Sequence, residues 1–250
     1  MRLAIIAPKA YFPLTKNYSD DYGLFLAHWV RDNNEFAEMV ENLNFSIKIL
    51  DNGAAEGQLI YDVDMLMTLA DKIGADEIII PDVFRNFSRS WANVVRYYDV
   101  IRDAGFRPFV VLQGATINEL EKFWVNIYES GYKDAVIGLG NEVFLQADRS
   151  SKQPRNKFVW YMLSKHPWIV DYDIHYLGYS TIWDWLYAPR FIRGSDSGIF
   201  LKAAKLRMLE IPDKHISGYH LEVDEPFNND VYSRAKYLIE KTKMRIDRGW

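Results

Sequence analysis

Residues 63–82 read VDMLMTLADKIGADEIIIPD and contain one complete repeat of the fold. The apolar positions of residues 63–73 recur with helical spacing, and Gly74 readily adopts the left-handed conformation that ends a helix. The run at 77–81 is mostly apolar, without regular polar alternation, which is typical of a parallel strand covered by helices on both faces. The segment therefore predicts a helix followed by a buried strand.

The same pattern extends along the chain in both directions. Short β-branched runs predict eight strands, at 3–7, 24–30, 46–50, 77–81, 109–112, 135–138, 172–177 and 191–194. Helical spacing predicts helices at 33–42, 63–73, 90–104, 117–130, 153–165 and 198–209. Alternating strands and helices predict an α/β fold with a parallel sheet, and eight strands predict closure into a (β/α)8 TIM barrel. An open doubly wound sheet is the alternative.

The composition fits a single catalytic barrel domain over residues 1–250, with a short C-terminal helical extension at about 210–250. The chain has 250 residues, of which 49% are apolar and 15% aromatic. This is enough to bury a substantial core, and barrels of this kind use about 250 residues for one domain. The 30 basic and 34 acidic residues give a net charge of −4. A nucleic-acid surface must therefore arise from local segregation of charge.

Several classes of site are excluded or disfavoured by what the sequence lacks. The absence of cysteine excludes disulfides, thiolate zinc sites and thiol nucleophiles. The five histidines form no HExxH motif or close pair, so we expect no metal site. No GxGxxG, P-loop or GxSxG motif is present. The apolar run before Pro8 is too short for a signal peptide or membrane span, so we expect a soluble, cytoplasmic protein with no membrane partner.

Polar residues and glycines follow the predicted strands, where the carboxyl ends of barrel strands meet at one mouth. They are Asp51, Asp82, Gln113, Gly138 to Gly140, Gly178 and Asp196. Each acid alone is also compatible with a helix N-cap. Two carboxylates across a pocket can divide nucleophilic attack on a sugar and proton transfer to its leaving group. An acid beside a carboxamide suits the edge of a flat base such as guanine.

The segment LDNGAAEG (residues 50–57) resembles the loop that carries the general acid/base aspartate of the tRNA-guanine transglycosylase superfamily. ADEIIIPD, VVLQG, IGLG, IHYLG and RGSDS follow in the family's order, and the similarity covers about residues 46–198. The chain is closer still to the DNA-modifying branch, the phage and bacterial DNA 7-deazaguanine transglycosylases. The resemblance implies a pentosyltransferase that needs no cofactor, encoded by a phage or a bacterium and acting in the bacterial cytoplasm.

Carried over position by position, the resemblance makes Asp196 the nucleophile and Asp51 the general acid/base. The residues implied to bind the exchanging base or to shape its pocket are Asp82, Gln113, Gly138, Leu139, Tyr176, Leu177 and Gly178. Guanine in DNA would be displaced, a sugar intermediate would form on Asp196, and a free 7-deazaguanine derivative would attack it. The strand stays intact. The target guanine would be single-stranded or flipped out of the duplex.

The chain departs from the tRNA-modifying enzymes in two respects. It has no cysteines for their zinc subdomain, and Ser197, Gly198 and Ile199 stand where those enzymes have a stretch containing Pro-Thr-Arg. Both departures favour DNA as the substrate. The alternatives are a tRNA-guanine transglycosylase without its zinc module, a noncatalytic barrel that positions nucleic acid, and an ordinary sugar hydrolase. A homo-oligomer is expected from the resemblance, because members of the superfamily often pair.

Two basic segments are candidates for a polynucleotide surface. Residues 149–170 contain five basic side chains and no acid, interleaved with aromatic residues suited to exposed bases. A second basic set surrounds the predicted nucleophile. The residues assigned to nucleic-acid binding are Arg149, Lys152, Arg155, Lys157, Arg190, Arg193 and Lys202. A solvated helix surface is the alternative for both segments. We expect His175, in the seventh strand, to be a hydrogen-bonded structural histidine.

Overall fold

The computed structural model describes residues 1–151, 153–178, 182–211 and 221–247. The strands of this part of the chain are β1 Arg2–Ile5, β2 Tyr22–Leu26, β3 Ile47–Asp51, β4 Glu77–Ile79, β5 Arg107–Val111, β6 Val136–Gly140, β7 Asp173–Leu177 and β8 Ile192–Ser197. They pair in parallel, in the order β1-β8-β7-β6-β5-β4-β3-β2, and curve into a nearly closed barrel. The predicted TIM barrel is confirmed, and the doubly wound alternative is wrong.

Helices cover the outside of the sheet. Those in the described residues are α1 Phe12–Tyr18, α2 Ala27–Asp32, α3 Asn34–Glu41, α4 Val63–Ile73, α5 Phe87–Asp103, α6 Ile117–Glu129, α7 Asn141–Ala147, α8 Pro154–Lys165, α9 Ile182–Leu186, α10 Ile199–Lys205 and α11 Asn229–Asp247. Asp62 caps α4 by accepting the N–H of Met65, and Gly74 ends it with φ 62° as the sequence predicts. No helix in these residues has the length and apolar character needed to cross a membrane.

The barrel closes between β1 and β2 through the residues that precede β2. The N–H of Leu3 donates to the Asp20 carboxylate at 2.9 Å, and the N–H of Ile5 donates to Ser19 Oγ at 2.9 Å. The N–H of Asp20 donates in turn to the carbonyl of Leu3. These bonds satisfy the edge of β1 that does not pair with β8. The C-terminal helix α11 reinforces the seam, because Lys243 pairs with Asp20.

The predicted second strand is only half right. Residues 24–30 were predicted to be extended, whereas β2 ends at Leu26 and α2 follows from Ala27. A short apolar run fits a buried strand and a buried helix equally well, so periodicity alone does not separate them. The predicted helix at 198–209 is also shorter, because α10 ends at Lys205. Arg207, just beyond it, has a left-handed backbone with φ 55°.

A β-bulge in β8 determines which of its side chains face the barrel interior. Ile192 pairs with Ile174, whereas Gly194 pairs with His175, so Arg193 is an extra residue in the ladder. Strict alternation would put Arg193 and Asp196, three positions apart, on opposite faces of the sheet. The bulge lets both side chains point inward. It places Arg193 low in the barrel and Asp196 at the mouth.

Candidate active site

Asp196 lies at the mouth of the barrel and is held by N–H donors. Its side chain is buried, with 3% of the residue exposed. His175 Nε2 lies 2.8 Å from Asp196 Oδ1. The N–H of Gly178 lies 3.3 and 3.2 Å from the two carboxylate oxygens, and Gly178 has a left-handed φ of 65°. These donors fix the orientation of the Asp196 carboxylate.

Asp51 ends β3 and has a different environment. Its Oδ1 accepts the N–H of Gly53 at 3.0 Å. Burial raises the pKa of Asp51 well above its ordinary value, and Glu56, Asp196 and Asp82 raise it further by repulsion. Asp51 therefore holds its proton to higher pH than an ordinary aspartate. Asp196 and Asp82 therefore each lie within electrostatic range of Asp51.

Asp82 and Gln113, after β4 and β5, form a hydrogen-bonded pair. Gln113 Nε2 donates to Asp82 Oδ2, and Gln113 Oε1 accepts the N–H of Arg85 at 2.8 Å. Asn52 Nδ2 donates to Asp82 Oδ1 at 2.9 Å, so the loop that carries Asp51 also holds Asp82. Burial raises the pKa of Asp82, and the two amide donors oppose that rise. The pair presents a fixed acceptor and a fixed amide at neighbouring strand ends.

Gly138 and Leu177 lie on neighbouring strands, β6 and β7. A Cβ atom on Gly138 would lie 2.5 Å from the Phe109 ring and 2.9 Å from Leu177 Cδ1, so only glycine fits there. Leu139, next in β6, is buried, and its carbonyl accepts Arg155 Nη1 at 3.0 Å. The structure thus brings Gly138 and Leu177, two of the predicted base-binding positions, to the same part of the barrel.

The predicted place of the Tyr176 side chain in the pocket wall is wrong. Its hydroxyl donates to Asn156 Oδ1 at 2.8 Å, and the Arg155 guanidinium lies 4.7 Å from its ring centroid. Both partners belong to α8, outside the barrel. Successive residues of a strand point to opposite faces, so Tyr176 points outward when His175 and Leu177 point inward.

Two of the predicted phosphate contacts are also wrong. Arg155 is fully buried, donates to the carbonyls of Leu139 and Leu177, and pairs with Asp184 at 2.7 Å. The side chain of Arg193 is 9% exposed and pairs with Glu77 inside the barrel. Both guanidinium groups are used within the fold. The sequence shows positive charge but does not show which cations are already paired.

The remaining predicted cations have separate environments. Arg149 and Arg190 are exposed, and Lys152 lies outside the described residues. Lys157 is exposed but pairs with Asp148 at 2.7 Å. Lys202 on α10 is partly buried beside the site. Burial lowers the pKa of Lys202, while Glu56 and Asp196 act to raise it. Lys202 is therefore a predicted cation within electrostatic range of Asp196.

A surface groove of about 520 Å³ lies beside the start of α8. It is lined by Ser151, Gln153, Asn156, Lys157, Trp160 and Tyr187. Trp160 is 54% exposed and Tyr187 is 53% exposed. Neighbouring Arg155 lies on the buried side of α8 and donates to the carbonyls of Leu139 on β6 and Leu177 at the end of β7. Exposed rings beside amide groups are suited to stack on a nucleobase and to bond its edge.

Four residues in the site were not assigned a catalytic or binding role from the sequence. Asn52 is buried and joins the Asp51 loop to Asp82, and Glu56 is the charged group that acts most strongly on Asp51. Both lie in the quoted motif LDNGAAEG, which was the available signal. Arg85 has a left-handed φ of 55° and reaches Gln146 on α7. His175 is a buried, hydrogen-bonded histidine as predicted, but its partner is the predicted nucleophile.

No family model matches the chain, and no curated protein matches it. Among the residues that the structure describes, no group of three or more histidine, aspartate or glutamate side chains is arranged to hold a metal ion.

Proposed function

We propose that this chain is a glycosyltransferase that exchanges guanine in DNA for a 7-deazaguanine derivative. Asp196 is the nucleophile and Asp51 the general acid/base. One observation carries the proposal: the two carboxyl groups share the mouth, but their environments differ. Asp196 receives N–H donors, whereas burial and neighbouring acids favour the protonated form of Asp51. A nucleophile and a proton donor need this difference.

The reaction balances with these two groups. An Asp196 oxygen attacks C1′ of the nucleotide, the bond from C1′ to N9 of guanine breaks, and its electron pair stays on the base. Asp51 gives its proton to the departing guanine. The incoming 7-deazaguanine then attacks C1′ through N9 and loses its N9 proton to Asp51. The ester to Asp196 breaks, and the phosphodiester strand is unchanged.

The Asp82–Gln113 pair supports a purine as the exchanged group. Guanine offers N1–H and an amino group that a carboxylate accepts, and O6 that an amide donates to. Gln113 donates to Asp82, and Asn52 and the N–H of Arg85 hold the two side chains in place from outside the pair. This fixed geometry favours recognition of a planar edge. The order of motifs typical of the DNA 7-deazaguanine transglycosylases supports the same assignment.

The groove beside α8 and Lys202 support a polynucleotide substrate. Lys202 lies near Asp196, where a phosphate next to the reacting sugar would come. Trp160 and Tyr187 offer exposed rings for a flanking base. The mouth admits a guanine only after it leaves the stack, so single-stranded or flipped DNA is the expected substrate.

Incorporation of a radiolabelled base tests the proposal. The purified protein is incubated with labelled 7-cyano- or 7-aminomethyl-7-deazaguanine and with single-stranded DNA, duplex DNA or tRNA. We expect label in DNA, fastest in the single strand, and no label with Asp196→Asn or Asp51→Asn. Asp71→Asn, an exposed change on α4, is the matched control and should keep wild-type activity.

Two results would overturn the proposal. Label that enters only tRNA would assign the tRNA reaction instead. Unchanged exchange by Asp196→Asn would remove Asp196 as the nucleophile, because an amide cannot form the sugar ester.

A further inference from the structure

A buried chain of hydrogen bonds leads from the lower barrel to Asp196. Arg193 Nη2 donates to the Tyr22 hydroxyl oxygen at 3.0 Å. The Tyr22 oxygen lies 2.5 Å from His175 Nδ1, and His175 Nε2 lies 2.8 Å from Asp196 Oδ1. Tyr22 and His175 both have 0% exposure. The Tyr22 hydroxyl and both ring nitrogens of His175 are thus matched to neighbours away from water.

The direction of these bonds follows from the first donor. A guanidinium has no acceptor, so the Tyr22 oxygen accepts from Arg193 and its own proton points to His175 Nδ1. Nδ1 is then the acceptor, and the ring proton must be on Nε2, from which it is donated to Asp196. Burial raises the pKa of Tyr22 and lowers that of His175, so tyrosine keeps its proton and the imidazole stays neutral.

Charged groups hold Arg193 in place at the lower end of this series of hydrogen bonds. Glu77 on β4 accepts from both terminal nitrogens of Arg193, at 2.5 and 2.8 Å. Asp173 lies 3.8 Å from Arg193 Nη1, and Arg107 Nη1 pairs with Asp173 at 2.5 Å. The bulge in β8 aims Arg193 at these partners. Gly194 leaves room for Tyr22, whose ring would lie 2.7 Å from a Cβ atom at that position.

We propose that Glu77, Arg193, Tyr22 and His175 form a positioning relay for Asp196. The relay sets the tautomer of His175, and the Nε2–H then holds the Asp196 carboxylate in the orientation for attack on C1′. The four residues act through Asp196 and do not touch the substrate. The inference rests on the proposed function for the role of Asp196, but the relay itself is defined by the hydrogen bonds.

NMR tests the relay without reference to activity. In protein labelled with ¹⁵N-histidine, His175→Gln identifies the His175 signals by their loss. We expect a neutral ring with the proton on Nε2 between pH 6 and 8. Tyr22→Phe should shift the Nδ1 signal, and Asp196→Asn should shift the Nε2 signal. A proton on Nδ1, or a protonated ring at pH 7, would overturn the relay.

Kinetics test its positioning role. Tyr22→Phe keeps the ring but removes the hydroxyl, so we expect kcat for base exchange to fall roughly 10- to 100-fold, as for other supporting residues, with KM for DNA unchanged. Tyr98→Phe is the matched control, since Tyr98 is equally buried but lies in the outer layer on α5. Equal kcat values for the two variants would contradict the proposal.

A rescue series covers the case in which Tyr22→Phe folds poorly. Glutamine at position 175 can accept from Tyr22 and donate to Asp196, whereas leucine can do neither. His175→Gln should therefore retain more kcat than His175→Leu at equal folded fraction, and equal loss in both would overturn the positioning role. Failure of the proposed function is distinct: the wild-type protein would exchange no base, while the NMR signals would still report the relay.

Discussion

Gln113 Nε2 donates to Asp82 Oδ2, so the polar ends of β4 and β5 act as one unit. Asp82 is 7% and Gln113 is 4% exposed, and both are bonded to the loops around them. A buried pair with fixed orientation is suited to discriminate one planar edge from another. The same fixation makes the pair sensitive to single changes.

Replacement of Asp82 should selectively weaken binding of the free base. Asp82→Ala removes the acceptor for the base edge and leaves the donors of Asn52 and Gln113 unmatched. A hydrogen bond to a charged group is worth about 1.5–3 kcal/mol, so we expect KM for the free base to rise roughly 10- to 100-fold. Initial rates at varied base concentration measure this. An unchanged KM, with only kcat reduced, would show that Asp82 does not recognise the base.

Neutralisation of Asp51 should stabilise the fold at neutral pH. The pKa of Asp51 is raised in the folded protein, so its protonated form stabilises the fold below about pH 4, and this contribution is lost as pH rises through the folded pKa. Asp51→Asn removes the loss. We expect the free energy of unfolding to rise by on the order of 1 kcal/mol at pH 8 and this gain to shrink towards pH 4.

Urea unfolding at pH 8 and pH 5 measures the effect of Asp51→Asn. Asp71→Asn on the exposed side of α4 is the control and should change stability equally at both pH values. An Asp51→Asn variant less stable than the wild type at pH 8 would contradict the raised pKa of Asp51.

Two glycines in the loop after Asp51 should respond differently to alanine. Gly53 and Gly57 have positive φ angles, 80° and 70°, so alanine strains both by about 1–2 kcal/mol. At Gly53 a Cβ atom would also lie 3.0 Å from His28 Nδ1 and 3.0 Å from the Gln58 carbonyl, whereas at Gly57 nothing lies within 4 Å. Gly53→Ala should be the more destabilising by urea unfolding and should reduce exchange. Equal effects would show that the loop is not packed as described.

The groove beside α8 should contribute to binding through stacking. Trp160→Ala should lower the affinity for single-stranded DNA about 10-fold, since stacking of a base on an aromatic ring is worth about 1–3 kcal/mol. The slope of affinity against salt should not change, because no charge is removed. Fluorescence anisotropy of a labelled oligonucleotide measures both quantities. Tyr237 is a similarly exposed ring on α11, and Tyr237→Ala should leave both quantities unchanged. Equal loss of affinity in both variants would exclude the groove as a specific DNA-binding site.

The barrel could be predicted because its information is local. Apolar runs such as 77–81 and the helix stop at Gly74 each show in a short window, and all eight strands lie near their predicted positions. The location of the site at the mouth could be predicted from the fold, since the residues that follow parallel strands meet at one end of the barrel. The order of motifs then supplied candidate roles for Asp51, Asp82, Gln113 and Asp196.

What could not be predicted depends on contacts between distant segments. Arg155 and Arg193 read as surface cations, but Asp184 and Glu77 pair with them inside the fold. The bulge that turns Arg193 inward is set by the register of β8 against β7, which no window of sequence shows. The outward direction of Tyr176 and the contact of His175 with Asp196 follow from the same register.

Trapping the covalent intermediate tests whether Asp196 is the nucleophile. The protein is mixed with a guanine-containing single strand, denatured rapidly and measured by intact mass, and the modified peptide is mapped. We expect an adduct of the strand on Asp196 that a free 7-deazaguanine consumes and that Asp196→Asn cannot form. Base exchange with no adduct, or an adduct on another residue, would contradict it.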